Sequence, residues 1–227
     1  MDNKAYSIAI DGPVAAGKGT IAPKLARRLK GLYLYTGAMY RCVALFCFKK
    51  GVDLNNEGSV ESILSKINIE FKEEKILLNN EDVTEQIKKE IVAMGSSKVA
   101  LYKGVRQKLV FYQKEIAQKA LSEGMSVVAE GRDTATKVLP NASLKIFLTA
   151  KPETRAKRRL AQIKKRGEKE DFKKVLDDVV KRDQQDSKRK IDPLVQNPEN
   201  YGYFVLDNSD LSEKETIDAI VAKIKND

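Results

Sequence analysis

The chain has 227 residues, of which 42% are apolar, so it can form one α/β domain with insertions or two small domains. It has no histidine and only two cysteines, Cys42 and Cys47, which excludes an imidazole general base, a zinc site and a disulfide framework. The net charge of +10 favours an anionic partner, either a nucleotide or a nucleic acid, although a solvated lysine-rich surface would give the same charge.

Hydropathy argues against a membrane protein. No apolar run approaches the ~18 residues needed to span a bilayer. The N-terminus lacks an apolar stretch typical of a secretory signal. We therefore expect a cytoplasmic protein with no membrane partner.

The first elements alternate between strand and helix. Residues 6–11 predict a buried strand, which runs directly into the segment G-P-V-A-A-G-K-G-T. Apolar residues recur every four positions between 21 and 29, which predicts a helix that ends at Gly31. A second strand is predicted over 32–35 and a second helix over 38–49.

Residues 51–90 differ in character from the rest of the chain. Asn, Glu and Gly interrupt short alternating runs at 67–71 and 75–79. The pair Asn79–Asn80 predicts a turn. We expect an inserted antiparallel hairpin region here.

The second half returns to alternating elements. Its predicted strands are short and apolar and cover 126–130, 144–150 and 203–206. Its predicted helices cover about 99–122, 152–165 and 171–187. Ser212 and Glu215 form a capping box that opens a last helix. Continuous apolar strands between amphipathic helices predict an α/β fold with a parallel sheet covered on both faces.

Residues 12–20 match the phosphate-binding loop pattern and lie between a predicted strand and a helix. Glycines let backbone N–H groups point at a phosphate, and the helix N-terminus adds positive potential. Gly19 replaces the hydroxyl that usually follows Lys18, and Thr20 supplies one a position later. G-K-G-T is typical of monophosphate kinases, and the Asn-Lys-x-Asp motif of GTPases is absent. The candidate ATP-binding residues are Gly12, Pro13, Val14, Ala15, Ala16, Gly17, Lys18, Gly19 and Thr20.

Two further segments could bind a second phosphate or a metal. Thr36 and Arg41 place a hydroxyl and an arginine near the start of the second helix, although a capped helix with one surface arginine would look the same. Glu130, Arg132 and Asp133 lie at the end of the third apolar strand, where Glu130 could hold magnesium through water.

The helix near the C-terminus carries an ionic stripe. Arg182, Asp186 and Arg189 continue the spacing of Val175 and Val179. An ionic patch that continues a core-facing apolar stripe indicates a cleft wall. A surface ion pair between Arg182 and Asp186 is the equal alternative.

Residues 155–169 are rich in arginine and lysine, and their only acidic residue is Glu168. Such a segment suits a lid that closes over phosphates and excludes water, so that ATP is not hydrolysed. A solvated basic helix would have the same composition.

Together these segments are similar to the bacterial cytidylate kinase family over nearly the whole chain. The matching motifs are D-G-P-V-A-A-G-K-G-T, T-G-A-M-Y-R, G-R-D-T-A-T, K-I-F-L-T-A with E-T-R-A-K-R-R, and R-D-Q-Q-D-S-K-R with D-P-L. The G-R-D element and the R-D-x-x-D-x-x-R helix separate this family from adenylate kinases. Family members commonly have Asp where this chain has Tyr35, and Ser-Gly where it has Val14–Ala15.

The resemblance implies a P-loop monophosphate kinase fold, in which a central parallel sheet is flanked by helices. An inserted antiparallel monophosphate-binding region would cover about 61–95, and a helical lid about 155–170. The core would comprise residues 1–60, 96–154 and 171–227.

The resemblance also implies roles for matching residues. The implied ligands of the acceptor phosphate are Thr36, Arg41 and Arg132. Those of cytosine are Ser97, Arg106 and Asp133. The sugar would contact Arg182 and Asp186, with Arg189 near the acceptor nucleotide, while Arg158 and Arg159 would belong to the lid.

Phosphoryl transfer needs positioning and neutralisation of charge rather than a general base, because the acceptor phosphate is already ionised. The candidate catalytic cations are Lys18, Arg132, Arg158 and Arg182. Mg²⁺ would be held by Thr20 and Glu130 through water. We predict a monomeric kinase that transfers phosphate from ATP to CMP or dCMP and binds no nucleic acid.

Two alternatives remain. One is a kinase for another nucleoside monophosphate. The other is a P-loop ATPase that binds nucleic acid, which is disfavoured because basic residues are spread along the chain rather than forming one stripe with aromatic residues.

Overall fold

The computed structural model describes residues 5–72 and 75–226. The chain folds into two compact units. The first comprises Met1–Leu34 and Ile116–Asp227, and the second comprises Tyr35–Glu115.

The described residues form eight strands and eight α-helices. The strands are β1 (Ser7–Asp11), β2 (Leu32–Tyr35), β3 (Ile69–Lys72), β4 (Lys75–Leu78), β5 (Glu81–Asp82), β6 (Val127–Glu130), β7 (Leu144–Thr149) and β8 (Phe204–Asp207). The helices are α1 (Lys18–Arg28), α2 (Thr36–Lys50), α3 (Glu57–Ser62), α4 (Glu90–Val99), α5 (Lys103–Ser122), α6 (Pro152–Lys165), α7 (Phe172–Lys188) and α8 (Glu213–Asn226).

A five-stranded parallel sheet forms the centre of the first unit, in the order β2-β6-β1-β7-β8. Strand β1 pairs in parallel with β6 and β7, and β7 pairs in parallel with β8. Ile8 and Ile10 of β1 pack with Leu25 of α1 and Ile220 of α8 in a buried cluster. The predicted parallel α/β fold is confirmed. The carboxyl ends of these strands therefore present the loops that follow them at one edge of the sheet.

The predicted capping box also forms. The N–H of Ser212 donates to the Glu215 carboxylate at 2.8 Å, and the N–H of Glu215 donates to the Ser212 hydroxyl at 3.2 Å. The two side chains thus satisfy donors at the start of α8, as the sequence pattern predicts.

The second unit contains the predicted antiparallel region. Strands β3, β4 and β5 form a three-stranded sheet, in which Ile69 pairs with Leu78. Asn79 and Asn80 both have positive φ, at 49° and 68°, as a tight hairpin turn between β4 and β5 requires. The predicted turn is confirmed.

The predicted start of the long helix over about 99–122 is wrong. Val99 ends α4, which the sequence did not predict, and α5 begins at Lys103. Two carboxylates from α3 accept from the first N–H groups of α5: Glu57 from Lys103 at 3.2 Å, and Glu61 from Gly104 at 2.6 Å. Because a helix N-terminus attracts negative charge, these contacts stabilise a new helix start there.

Other helical segments were also not predicted: α3, a single π-helical turn at Thr134–Val138, and 3₁₀ turns at Leu64–Lys66, Gln86–Lys88 and Pro198–Tyr201. Helix α2 begins at Thr36, two residues before the predicted start at 38. Among the described residues, no helix is both long and apolar enough to cross a bilayer.

Candidate nucleotide site

The phosphate loop joins β1 to α1, and its first glycine cannot be replaced without strain. Gly12 has a φ of +148°, and a Cβ added there would lie 2.0 Å from the carbonyl oxygen of Leu148. The Nζ of Lys18 donates to the carbonyl oxygens of Gly12 at 2.8 Å and Pro13 at 2.7 Å. The lysine ammonium therefore lies within the curve of the loop. A bound phosphate could replace these carbonyl oxygens as its hydrogen-bond acceptors.

The environment of Lys18 disfavours its charged form. Burial lowers its pKa to about 7, and the guanidinium of Arg132 lowers it further, against the opposing attraction of Glu130, Asp11 and Asp186. An added anion such as a phosphate would raise that pKa again. A bound phosphate and the charged form of Lys18 would therefore stabilise each other.

Glu130 gives a physical reason for the unusual Gly19. A Cβ at residue 19 would lie 3.3 Å from Oε1 of Glu130, closer than most Cβ contacts. The hydroxyl of Tyr33 donates to the same oxygen at 2.6 Å. Thr20, one position later, is half-buried in the first turn of α1. A serine or threonine at residue 19 would therefore crowd the Glu130 carboxylate, which glycine avoids.

Arg132 and Asp186 form a buried ion pair, with Nε and Oδ2 2.6 Å apart. Burial alone would raise the pKa of Asp186, but Arg132, Arg182 and Arg189 together outweigh burial and lower it. Asp186 is therefore buried and paired with Arg132, which contradicts the alternative of a simple surface pair between Arg182 and Asp186.

Asp133 accepts from Nη2 of Arg189 at 3.3 Å, and Nε of Arg189 donates to the carbonyl oxygen of Asp192 at 2.7 Å. Within the first unit, the structure therefore brings together five predicted acceptor-side residues: Arg132, Asp133, Arg182, Asp186 and Arg189.

The other four predicted acceptor residues belong to the second unit. Thr36 is the buried first residue of α2. Nη1 of Arg41 donates to the carbonyl oxygen of Ile87 at 2.6 Å. The hydroxyl of Ser97 donates to the carbonyl oxygen of Ala93 at 3.3 Å.

Arg106 is almost fully buried in the same unit. Its guanidinium carbon lies 5.6 Å from the centroid of the Tyr40 ring, and Nη1 donates to the carbonyl oxygen of Ala100 at 3.3 Å. Tyr35, where the family commonly has Asp, packs beside Gly37, because a Cβ at residue 37 would lie 3.0 Å from its ring.

The basic segment predicted as a lid is not uniformly exposed. Arg155 is buried and contacts Asp183, which differs at this residue from the alternative of a solvated basic helix. Arg158 donates to the side-chain and carbonyl oxygens of Asn208 at 2.9 and 2.7 Å. Arg159 contacts Gln162 at 3.3 Å.

Three buried or half-buried polar residues hold these loops although the motifs did not single them out. Asp11 accepts from the N–H groups of Thr134 and Ala135, both at 2.8 Å, and from the hydroxyl of Tyr203 at 2.7 Å. The other two are Asp183 and Asn208, which contact the phosphate loop at Val14 and Ala16. Asp11 could have been noticed as a carboxylate at the end of an apolar strand, and Asp183 as the unassigned acid of the R-D-x-x-D motif.

Comparison with known proteins identifies the family. The family model described as cytidylate kinase matches residues 8–226. This chain belongs to the cytidylate kinase family. It is 40% identical over 225 residues to the cytidylate kinase of Caldanaerobacter subterraneus subsp. tengcongensis, covering 99% of this chain and 97% of that one. It is 41% identical over 220 residues to the cytidylate kinase of Neisseria gonorrhoeae, covering 96% and 97%.

A solved structure of an uncharacterized protein from Eubacterium ventriosum ATCC 27560 shares the fold. It superposes with a TM-score of 0.55 at 15% identity, covering 99% of this chain and 100% of that chain. The cytidylate kinase family uses ATP, and the loop around Lys18 has the backbone groups and the cation that ATP phosphates require.

Proposed function

We propose that this chain transfers the γ-phosphoryl group of ATP to CMP or dCMP and so forms ADP and CDP or dCDP. The observation that carries the proposal is the match to cytidylate kinases over residues 8–226. The buried cations Lys18 and Arg132, placed beside a strand–loop–helix junction, support it independently.

In the proposed reaction, residues 12–20 bind the ATP phosphates. An ionised oxygen of the acceptor phosphate forms a bond to the γ-phosphorus while the bond from that phosphorus to the β–γ bridging oxygen breaks. Charge spreads over the transferred phosphoryl oxygens during this step. The proposed cations that stabilise this charge are Lys18, Arg132, Arg158 and Arg182.

The proposed acceptor site keeps the roles that the resemblance implies. Its phosphate ligands would be Thr36, Arg41 and Arg132, and its cytosine ligands Ser97, Arg106 and Asp133. The sugar would contact Arg182 and Asp186, with Arg189 near the acceptor nucleotide. The ion pairs of Arg132 with Asp186 and of Arg189 with Asp133 support this, because they gather charged groups and clusters of such groups with shifted pKa values are typical of functional sites.

The residues beside the phosphate loop fit a magnesium ion. Mg²⁺ in nucleotide enzymes is commonly held by one or two carboxylates together with substrate phosphates and water. Glu130, at the end of β6, offers a carboxylate, and Thr20, in the first turn of α1, offers a hydroxyl. The hydroxyl of Tyr33 donates to the Glu130 carboxylate and orients it. When bound, Mg²⁺ would neutralise phosphate charge. The described residues contain no cluster of three or more acidic, His or Cys ligands, so the ATP phosphates would complete the coordination.

A coupled assay of ADP formation tests the proposal against both alternatives. Purified protein with ATP and Mg²⁺ is supplied separately with CMP, dCMP, UMP, AMP or a single-stranded oligonucleotide. We expect ADP formation with CMP and dCMP. A preference for AMP would indicate a different monophosphate kinase, and stimulation by the oligonucleotide alone would indicate the nucleic-acid-dependent ATPase. We also propose that the protein acts as a cytoplasmic monomer, which size-exclusion chromatography tests in part.

A further inference from the structure

An ion pair from helices α6 and α7 holds the tip of the phosphate loop. Oδ1 of Asp183 accepts from the N–H of Val14 at 3.2 Å, and Oδ2 lies 2.6 Å from Nη1 of Arg155. That same nitrogen donates to the carbonyl oxygen of Val14 at 3.1 Å. Val14, Asp183 and Arg155 thus form a closed ring of contacts in which both backbone polar groups of Val14 are engaged.

The ring is anchored to the sheet. Nε of Arg155 donates to the carbonyl oxygen of Ala150, directly after β7, at 2.8 Å. The Arg155 side chain is 5% exposed and that of Asp183 is 21% exposed. Charge-assisted hydrogen bonds in such a shielded place are stronger and more directional than those at a solvated surface. The pair can therefore define where Val14 lies.

The backbone next to Val14 needs such support. Ala15 has a φ of 58°, a left-handed conformation that costs energy for a residue with a Cβ. Such a conformation persists only where neighbouring contacts hold it. Asp183 binds the N–H of Val14 and Arg155 binds its carbonyl oxygen. Val14 is therefore held in place, and this supports the left-handed conformation of the next residue, Ala15.

Helix α7 presents one carboxylate to each of two loops. Asp183 contacts the phosphate loop, and Asp186, three residues later on the same helix face, pairs with Arg132 after β6. Asp183 accepts from the N–H of Val14 and pairs with Arg155, so its removal should act on the phosphate loop first.

We propose that Asp183 and Arg155 are positioning residues for ATP, which set the phosphate loop in its binding conformation without touching the substrate. The inference rests on the proposed function, in which residues 12–20 hold the ATP phosphates. It predicts that loss of the pair weakens ATP binding and leaves CMP binding nearly unchanged.

The test is the Asp183→Asn variant of the full chain, which keeps the size of the side chain and removes its charge. Dissociation constants for ATP and for CMP are measured separately by calorimetry, together with kcat/KM for each substrate. We expect the dissociation constant of ATP to rise about tenfold, the scale of coupling between neighbouring packed groups, with less than about a twofold change for CMP. Asp177→Asn, at an exposed position of α7, is the matched control and should change neither constant.

A merely structural role predicts a lower unfolding temperature with unchanged ATP affinity well below that temperature, and this result would overturn the inference. Equal losses for ATP and CMP would also overturn it. If Asp183→Asn does not fold, Arg155→Lys is the test, because lysine keeps the charge but lacks the separate Nε and Nη1 donors that contact Ala150 and Val14. Its ATP affinity should fall, and an unchanged value would contradict the inference. Wild-type protein that binds ATP but does not phosphorylate CMP would refute the proposed function alone.

Discussion

Replacement of Lys18 by methionine should remove a specific pH dependence of stability. In the folded protein, burial and the nearby guanidinium of Arg132 lower the pKa of Lys18 from its ordinary value of 10.5 to about 7. Between these two values the unfolded chain holds a proton that the folded protein does not. The free energy of unfolding therefore rises with pH across this window, because the unfolded state binds more protons.

The size of the effect follows from the two pKa values. Each pKa unit corresponds to about 1.4 kcal/mol. Between about pH 7 and pH 9.5, Lys18 should add about 3 kcal/mol to the free energy of unfolding of the wild type. The Lys18→Met variant lacks this contribution. The difference in stability between wild type and variant should therefore shift by about 3 kcal/mol in favour of the wild type over this range.

Urea unfolding without added nucleotide, followed by circular dichroism at both pH values, measures this shift. The comparison of two proteins cancels the titration of all other groups, provided that the variant keeps the fold. Lys24→Met, at an exposed position of the same helix, is the matched control and should show no such shift. Parallel pH profiles for wild type and Lys18→Met would refute the reasoning that burial and Arg132 disfavour the ammonium.

Three further outcomes are expected. Lys18→Ala should lower kcat by orders of magnitude with the fold intact, and retention of more than about a tenth of kcat, a barrier change of ~1.4 kcal/mol, would contradict its role. Asp133→Ala should narrow the CMP/UMP preference mainly by harming CMP, because a carboxylate accepts from the cytosine amine and faces an acceptor in uracil; an unchanged ratio in steady-state kinetics would show that Asp133 does not read the base. The pKa of Asp186 is lower in the folded protein than its ordinary value of 3.8, which stabilises the fold at pH values above 3.8. This stabilisation is lost as the pH falls through the folded-state pKa. Asp186→Asn should therefore lose less stability than wild type on acidification in urea titrations, and identical losses would count against the ion pair with Arg132.

Regular elements with a clear apolar period could be predicted from the sequence. Strands β1, β2, β6 and β7 were predicted to within about two residues. Of these, β1 and β6 are buried on both faces, and such strands read as continuous apolar runs. The capping box of α8 and the Asn79–Asn80 turn were predicted because local side-chain and backbone preferences decide them. In each case the determining atoms lie within a few residues of one another.

The elements that were missed depend on contacts distant in sequence. Helix α5 starts at Lys103 because Glu57 and Glu61, more than 40 positions earlier, accept from its first N–H groups. The apolar periodicity within residues 99–122 contains no information about those two carboxylates, so it could not predict the helix start. The π-helical turn at Thr134–Val138 is similar, because its first N–H groups donate to Asp11 of β1.

The candidate site divides in the same way. Lys18, Arg132 and Asp186 were found because each occupies a motif, although the residue roles themselves stay predictions. Asp183 carried no assigned role, because nothing in its spacing shows that it contacts Val14, 169 positions away. Arg155 was grouped with the basic segment predicted as a lid, because composition alone does not distinguish a buried arginine from its exposed neighbours.

Asp11 shows how the core and the two loops depend on one another. Its carboxylate immediately precedes the phosphate loop and also receives both first N–H groups of the turn that follows Asp133. Burial raises the pKa of Asp11, and the nearby Asp133 raises it further, against the opposing effect of these donors. A shift of β1 relative to that turn would leave a buried acceptor or donor unsatisfied, at a cost of about 1–3 kcal/mol. The relative position of the phosphate loop and of Arg132–Asp133 is therefore set by the sheet itself, before any substrate contributes.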